Sequence, residues 1–374
     1  METERRVLQV NLKNRGGAFS LIYEAGKELY PQIIFDYFCD SPFYQDERYE
    51  FLINHNSRIY DNDIKTNRLS KQYLLYKEFL HVLKNNKYSI VHINTDTAWK
   101  ALIYVIGSRK AKVDKIIVHS HSSGINGHYY KINYFLHILS RRILSQKGII
   151  KFACCRKAAE WMFKSIKDVN YIRNGINTND YAYNAVARDK IREELNIDND
   201  TRLIGTVGDY SFAKNPEFIS KLIDSFKDNK NYSFLLVGEG NGKSELLNNT
   251  RYKKRVICVP QVTNIMDYLS AMDVFILPSR FEGLPMSALE AQASGCITLL
   301  SENISSETRC SKYCMFLRLN IKEWHEKIKT LSLNNNRNLQ KTFLKLDNID
   351  ITETADQLSK IYRWKTNENK NRKI

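Results

Sequence analysis

Two glutamates, Glu282 and Glu290, bracket the turn Gly283-Leu284-Pro285 at what reads as the start of a helix. The leading N–H groups of a helix lack intrahelical acceptors and lie at the positive end of its dipole, so they attract anions, phosphates above all. Carboxylates beside such a site suit neutral hydroxyl groups, with the phosphate held between them. A nucleotide-sugar has that layout: ribose hydroxyls at one end, a diphosphate in the middle, sugar hydroxyls at the other. The plainer alternative is a solvated helix carrying two surface glutamates.

The elements that must position these groups are readable on either side. Val274-Phe275-Ile276-Leu277 is an apolar run of strand length stopped by Pro278. Pro285 suits the first position of a helix expected over residues 286–293, and Gly295 is placed to end it. Ile297-Thr298-Leu299-Leu300 then closes a strand–loop–helix–strand unit. In a parallel sheet the loop of such a unit lies at the carboxyl end of the strands, where ligands bind.

The alternation runs along the whole chain. Strands are expected at 7–12, 33–35, 90–94, 116–118, 152–155, 171–177, 203–207, 233–237 and 255–259, and helices at 18–29, 70–84, 99–106, 157–166, 216–226 and 267–271. Such a pattern in both halves implies two parallel-sheet α/β domains. The boundary is placed at the turn near Gly175, giving domains over 1–175 and 176–348. Residues 349–374 supply a last helix and a polar tail, while 36–69 and 334–350 show no clear period.

Smaller signals sit at strand ends. Gly16-Gly17, between a strand and a helix, lets the backbone approach an anion closely, although it is not the three-glycine dinucleotide fingerprint. His119 and His121 face the same way on an extended chain, either toward a ligand crevice or as satisfied packing residues. Residues 129–147 form a helical pattern with Tyr134, Phe135, Ile138, Leu139 and Ile143 apolar and Lys131, Arg141, Arg142 and Lys147 basic. We expect that apolar set to face the core; an interfacial membrane helix is the alternative.

Composition bounds the rest. A chain of 374 residues with 43% apolar content is globular, and no stretch approaches the length of a membrane span. The first residues read as leading directly into a strand, without a signal peptide. Seven cysteines are scattered, several of them in apolar runs that suit reduced, buried thiols, and Cys310-x3-Cys314 lacks a second pair for a metal. The net charge of +16 points to an anionic partner or to genome base composition. Lys and Arg are spread along the chain without a basic arm, which argues against nucleic acid.

Taken together, Glu282-x7-Glu290, Gly16-Gly17, His119-Ser120-His121, Asn174-Gly175-Ile176, Val207-Gly208, Lys214-Asn215 and Val237-Gly238-Glu239-Gly240 resemble the retaining glycosyltransferases of family 4. The likeness is to the bacterial capsular and exopolysaccharide type. It implies the GT-B fold, two facing Rossmann-like domains with the cleft between them, and the last helix returning to the N-terminal domain. It implies that Glu290 binds the ribose and Glu282 the donor sugar, with the backbone after Gly283, at Leu284 and Pro285, holding sugar or diphosphate. Lys214 would neutralise the leaving diphosphate, His121 would face the sugar near its anomeric carbon, and Gly16 and Gly17 would close on the phosphate side.

On this likeness no cofactor or metal is expected, the nucleotide-sugar being a co-substrate and no Asp-x-Asp motif standing at a plausible site. One departure is Asp209, where the family commonly places an arginine that shares the diphosphate. Arg280, Arg173 or Lys13 could compensate, or Asp209 could turn outward. The implied activity is transfer of a sugar from a UDP-sugar to a lipid-linked saccharide in surface polysaccharide biosynthesis. The implied place is the cytoplasm, in peripheral contact with anionic lipid at the inner face of the plasma membrane. The rival readings are a nucleotide-sugar epimerase and a non-catalytic sugar-nucleotide-binding protein.

Overall fold

The computed structural model describes residues 5–12, 16–125, 130–146, 148–332, 337 and 349–363, and every count below is of these. Lys13, Tyr129, Lys147, Trp364, the polar tail and most of 334–350 lie outside the described residues. The chain divides into two units: it leaves the first after Gly175 and returns to it after Asp350.

The first unit contains strands β1 (Arg5–Val10), β2 (Ile33–Phe38), β3 (Ile59–Tyr60), β4 (Ile90–Thr95), β5 (Lys115–Ser120), β6 (Ile150–Ala153) and β7 (Val169–Tyr171). Its helices are α1 (Gly17–Leu29), α2 (Glu47–Asn54), α3 (Arg68–Asn86), α4 (Ala98–Lys110), α5 (Tyr130–Leu144), α6 (Arg156–Met162) and, from the end of the chain, α13 (Ile351–Arg363). The sheet is parallel, in the order β3-β2-β1-β4-β5-β6-β7. Consecutive strands lie to either side of the β1–β4 pair, so the topological switch point falls there.

The second unit repeats the plan. Strands β8 (Arg202–Val207), β9 (Tyr232–Val237), β10 (Val256–Val259), β11 (Val274–Leu277), β12 (Ile297–Ser301) and β13 (Cys314–Leu317) form a parallel sheet in the order β10-β9-β8-β11-β12-β13. Helices α7 (Ala185–Glu194), α8 (Pro216–Ser225), α9 (Asn241–Asn249), α10 (Ile265–Ala271), α11 (Met286–Ala293) and α12 (Ile321–Thr330) accompany it. Its switch point lies between β8 and β11.

Side-chain alternation explains why these strands read as unbroken apolar runs. Leu203, Leu235, Val237, Phe275 and Leu277 enter one core. Their neighbours Ile204, Phe234, Leu236, Val274 and Ile276 enter another on the opposite face. Both faces are covered, as a parallel sheet with helices on each side requires. In the first unit Leu8, Val10, Val91, Ile93, Ile116 and Val118 fill one face. The alternate positions Gln9, His92, Asn94 and His119, all buried, belong to the other.

Three expectations need correction here. The strand expected at 171–177 is β7 at Val169–Tyr171, and residues 172–175 belong to no strand. Residues 36–69, which show no period, hold α2 and the two-residue strand β3; Asp46 caps α2 by accepting the Arg48 and Tyr49 N–H groups. Helix α5 does not turn its apolar residues to the core. Tyr134, Phe135, Leu139 and Ile143 are exposed and Ile138 is half-buried, while Asn133, His137, Ser140 and Leu144 form the buried face. The reason is that the polar face is satisfied. His137 Nδ1 accepts from the Ala98 N–H at 3.0 Å, capping α4 from outside, and its Nε2 donates to Trp161 O at 2.9 Å. Its ring also stacks on Trp161 at 3.9 Å.

Candidate active site

In the second unit the two loops leaving the switch point carry the sequence motifs. The loop after β8 runs from Gly208 to Asn215, and Phe212–Lys214 forms a single 3-10 turn within it. Asn215 takes up a left-handed conformation (φ 58°) and donates from Nδ2 to Pro278 O at 3.1 Å. Arg280 N–H, in the loop after β11, returns a bond of 2.7 Å to Ala213 O. These ties hold the loops side by side, and Lys214 Nζ meets Glu282 Oε1 at 2.8 Å.

That pair is about four-fifths buried on each side, with side-chain exposures of 18% and 17%. Burial alone would lower the Lys214 pKa. The Glu282 charge and hydrogen bond, followed by Asp209 and Glu290, reverse this and raise it above its ordinary value. Lys214 is therefore a fixed cation. Ser279 Oγ steadies the other partner by donating to Glu282 Oε1 at 3.2 Å.

Helix α11 starts beside this pair. Pro285 is its N-cap with extended backbone, not its first helical residue, and no side chain caps the terminus or places an acid in the first turn. Gly283, Leu284 and Pro285 are buried beneath it, and Gly295 (φ 73°) follows its end. One turn further along α11, the Glu290 Oε1 accepts from Tyr181 OH at 3.2 Å.

Three glycines set the shape of the first loop. A Cβ on Gly238 would lie 2.1 Å from Gly208 O, one on Gly240 1.6 Å from Asp209 O, and one on Gly242 1.9 Å from Tyr210 O. Their backbone therefore packs directly against the backbone of residues 208–210, and only glycine permits that approach. Lys243 Nζ fastens the layer by donating to Gly238 O at 2.7 Å and Val259 O at 3.2 Å.

Asp209 is exposed, and its Oδ1 accepts the Ser211 N–H at 3.2 Å. Arg280 is engaged elsewhere: it donates to Phe212 O at 2.8 Å, pairs with Glu217 at 3.2 Å and lies 4.2 Å over the Phe212 ring.

In the first unit the histidines form a directional chain on the polar face of the sheet. Asn94 Nδ2 donates to Gln9 Oε1 at 3.0 Å, so its Oδ1 meets His121 Nε2 at 2.9 Å and His121 must carry its proton there. Gln9 Nε2 donates to Tyr362 OH at 3.2 Å, and that hydroxyl donates in turn to His92 Nδ1 at 2.6 Å. His92 then gives its Nε2 proton to His119 Nδ1 at 3.2 Å. The network thus assigns three neutral tautomers. Among the described residues His119 Nε2 and His121 Nδ1 are buried without a hydrogen-bond partner, on rings 4.0 Å apart. Burial lowers the pKa of all three histidines, that of His121 to about 4.

Gly16 is the N-cap of α1 with no side-chain bond, half-buried beside an exposed Gly17. The structure therefore joins Lys214 to Glu282 and places Gly283, Leu284, Pro285 and Glu290 on the same helix start. His121, Gly16 and Gly17 belong to the other unit. Tyr181, Ser279, Gln9, His92, Asn94 and Tyr362 carried no functional reading from sequence. A signal existed for two of them: His92 and Asn94 are polar alternate residues inside an otherwise apolar strand.

Residues 187–341 match the family model for glycosyl transferases group 1. That match lies within the second unit. Curated relatives include the capsular polysaccharide biosynthesis glycosyltransferase CapH of Staphylococcus aureus, 29% identical over 43% of this chain and 47% of its own. Another is the Escherichia coli UDP-Gal:alpha-D-GlcNAc-diphosphoundecaprenol alpha-1,3-galactosyltransferase, 26% identical over 61% of this chain and 60% of its own. The chain thus spans about half to three-fifths of these relatives. Anabaena Alr3699/HepE, solved in complex with UDP-glucose, superposes with a TM-score of 0.76 at 14% identity over 95% of this chain and 98% of that one. That likeness, at such low identity, shows the fold class alone, GT-B.

Proposed function

We propose that this chain is a retaining glycosyltransferase that moves a sugar from a UDP-sugar to a lipid-linked saccharide in bacterial surface polysaccharide biosynthesis. The observation that carries the reading is the buried Lys214–Glu282 pair at 2.8 Å beside the uncapped start of α11. A donor diphosphate on that helix terminus meets backbone N–H groups and the Lys214 ammonium. Both are fixed before the reaction, so both favour the charge that develops on the leaving group. Glu282, held by Lys214 and Ser279, would accept from sugar hydroxyls, and Glu290, presented with Tyr181, from the ribose. In the first unit His121, neutral at physiological pH, presents Nδ1 as an acceptor, and Gly16 leaves the start of α1 without a side-chain cap; a role for either toward the donor rests on the motif resemblance.

Charge on the departing diphosphate is met by side chain and backbone, so the reading requires no metal. The retaining outcome, the hexosyl donor and membership of family 4 rest on the motif resemblance. The lipid-linked acceptor is supported by the named acceptor of the Escherichia coli relative. A lipid-linked acceptor would place the enzyme in the cytoplasm, peripheral at the inner face of the plasma membrane.

Titration calorimetry with UDP and UDP-sugars, followed by proton NMR of the product formed on a saccharide acceptor, tests this. We expect UDP-dependent binding, an axial anomeric configuration carried from donor to product, and turnover in excess EDTA. Binding without transfer across an acceptor panel would favour the non-catalytic reading, which the exposed Asp209 in place of an arginine keeps specific. Epimerised free donor would favour the epimerase.

A further inference from the structure

Helix α5 is built inside out. Its buried stripe is Asn133, His137, Ser140 and Leu144, packed on α4 and α6 through the hydrogen bonds of His137 and of Arg141, which donates to Glu160 O at 2.7 Å and Phe163 O. The stripe Ile132, Phe135, Leu136, Leu139 and Ile143, spaced i, i+3, i+4, i+7 and i+11, faces out. Ile132 is 59% and Phe135 63% exposed. A contiguous apolar stripe on a helix that already has a satisfied buried face is a docking surface.

Charge selects the occupant. Residues 130–167 contain nine Lys or Arg and one acid, Glu160, itself paired with Arg156. Lys131 and Arg142, both exposed, flank the apolar stripe on the side away from the buried face. A second copy would bring the same cations against these, and like charges oppose that contact. An anionic bilayer presents an apolar interior beneath negative headgroups, which matches both features. Among the described residues no helix is long and apolar enough to cross a membrane, so α5 would lie in the interface.

We propose that α5 is the membrane-docking element of this protein, seating Ile132, Phe135, Leu136, Leu139 and Ile143 at the headgroup–acyl boundary of an anionic leaflet with Lys131 and Arg142 at the phosphates. The proposal deepens the reading of a lipid-linked acceptor by naming the surface that brings the enzyme to it.

Co-sedimentation of the full chain with phosphatidylcholine vesicles, with and without phosphatidylglycerol, tests it. We expect partition onto the anionic vesicles, lowered about tenfold or more by Ile132→Ser with Phe135→Ser. Lys131→Glu with Arg142→Glu should remove the preference for phosphatidylglycerol at low salt, about tenfold or more. Unchanged melting temperatures show that these variants fold. As a conservative check, Leu139→Trp should gain fluorescence quenching by brominated acyl chains beyond that of the parent. A parent that stays in the supernatant, serine variants that sediment as the parent does, or no added quenching overturns the proposal. So does a lipid-free dimer that the serine pair dissolves. Transfer to a water-soluble acceptor should survive all these substitutions. Vesicle binding without any transfer would remove the proposed activity and leave the docking intact.

Discussion

The two units share a topology and solve their switch points in opposite ways. Between β8 and β11 the loops meet through a largely buried ion pair, Lys214 and Glu282, under a helix terminus without a side-chain cap. Around β1, β4 and β5 the side chains form a neutral ring, Gln9, Tyr362, His92, His119, Asn94 and His121, in which burial keeps each imidazole unprotonated. The ion pair is fit for a charged ligand and the ring for hydroxyl groups. One parallel sheet therefore hosts either chemistry, because the switch point fixes where a ligand lies while the loop residues decide what it can be.

The sharpest break of this comparison removes the charge. Lys214→Ala should lower kcat by about 10²- to 10³-fold with a smaller change in donor KM, since it deletes a fixed donor to the leaving group. Initial rates with a UDP-sugar donor would show it; a kcat within about twofold of the parent would mean the ion pair is structural. Acid should attack the other unit. A histidine with a depressed native pKa gives stability that is present above its unfolded value of 6.5 and lost as pH falls toward the native value. For His121 that window is pH 6.5 to about 4, worth on the order of 3 kcal/mol. His92, His119 and His137 add in the same direction. Amide exchange followed from pH 7 to 4.5 should show β4, β5 and α13 opening before β8 and β11. Uniform opening would erase the distinction.

Smaller effects sharpen it. Glu290→Ala should weaken UDP binding by about tenfold, the worth of a hydrogen bond to a charged group, with the first unit's stability unchanged. Equal affinity by calorimetry would remove Glu290 from the ribose. Tyr362→Phe leaves His92 and Gln9 each short of a partner and should cost about 2 kcal/mol in denaturant unfolding. UDP affinity, proposed for the other unit, should not move. If it does, the ring and the ion pair are coupled.

Much of the fold was legible because its signals are local. Strand β11, helix α11 and Gly295 are written in one continuous stretch, with a proline before and a glycine after. Runs such as Leu235-Leu236-Val237 announce a doubly covered strand because each successive side chain needs an apolar neighbour on its own face. Legibility failed where the partner is distant in sequence. Helices α7 and α9 and strand β13 carry weaker local patterns, and tertiary contacts fix them: Arg192 of α7, for example, is buried with its guanidinium on Ala271 O, Asp198 O and Thr201 O. Helix α5 misled because its apolar stripe is real; no local property shows that His137 will find Ala98 and Trp161 and so bury the other side.

The site divides along the same line. The sequence by itself determined the residue types and the motif spacing, Glu282 and Glu290 about a helix start and Lys214 beside an asparagine, because these depend on neighbours along the chain. Only the tertiary structure decided that Lys214 is paired with Glu282, that glycines from the β9 loop mould residues 208–210, and that Tyr362 sets the tautomers of histidines some 270 residues away. Hydrogen bonds and ion pairs act over about 3 Å, and which groups come within that distance is settled by how the strands are ordered in the sheet, a property no single stretch of sequence contains.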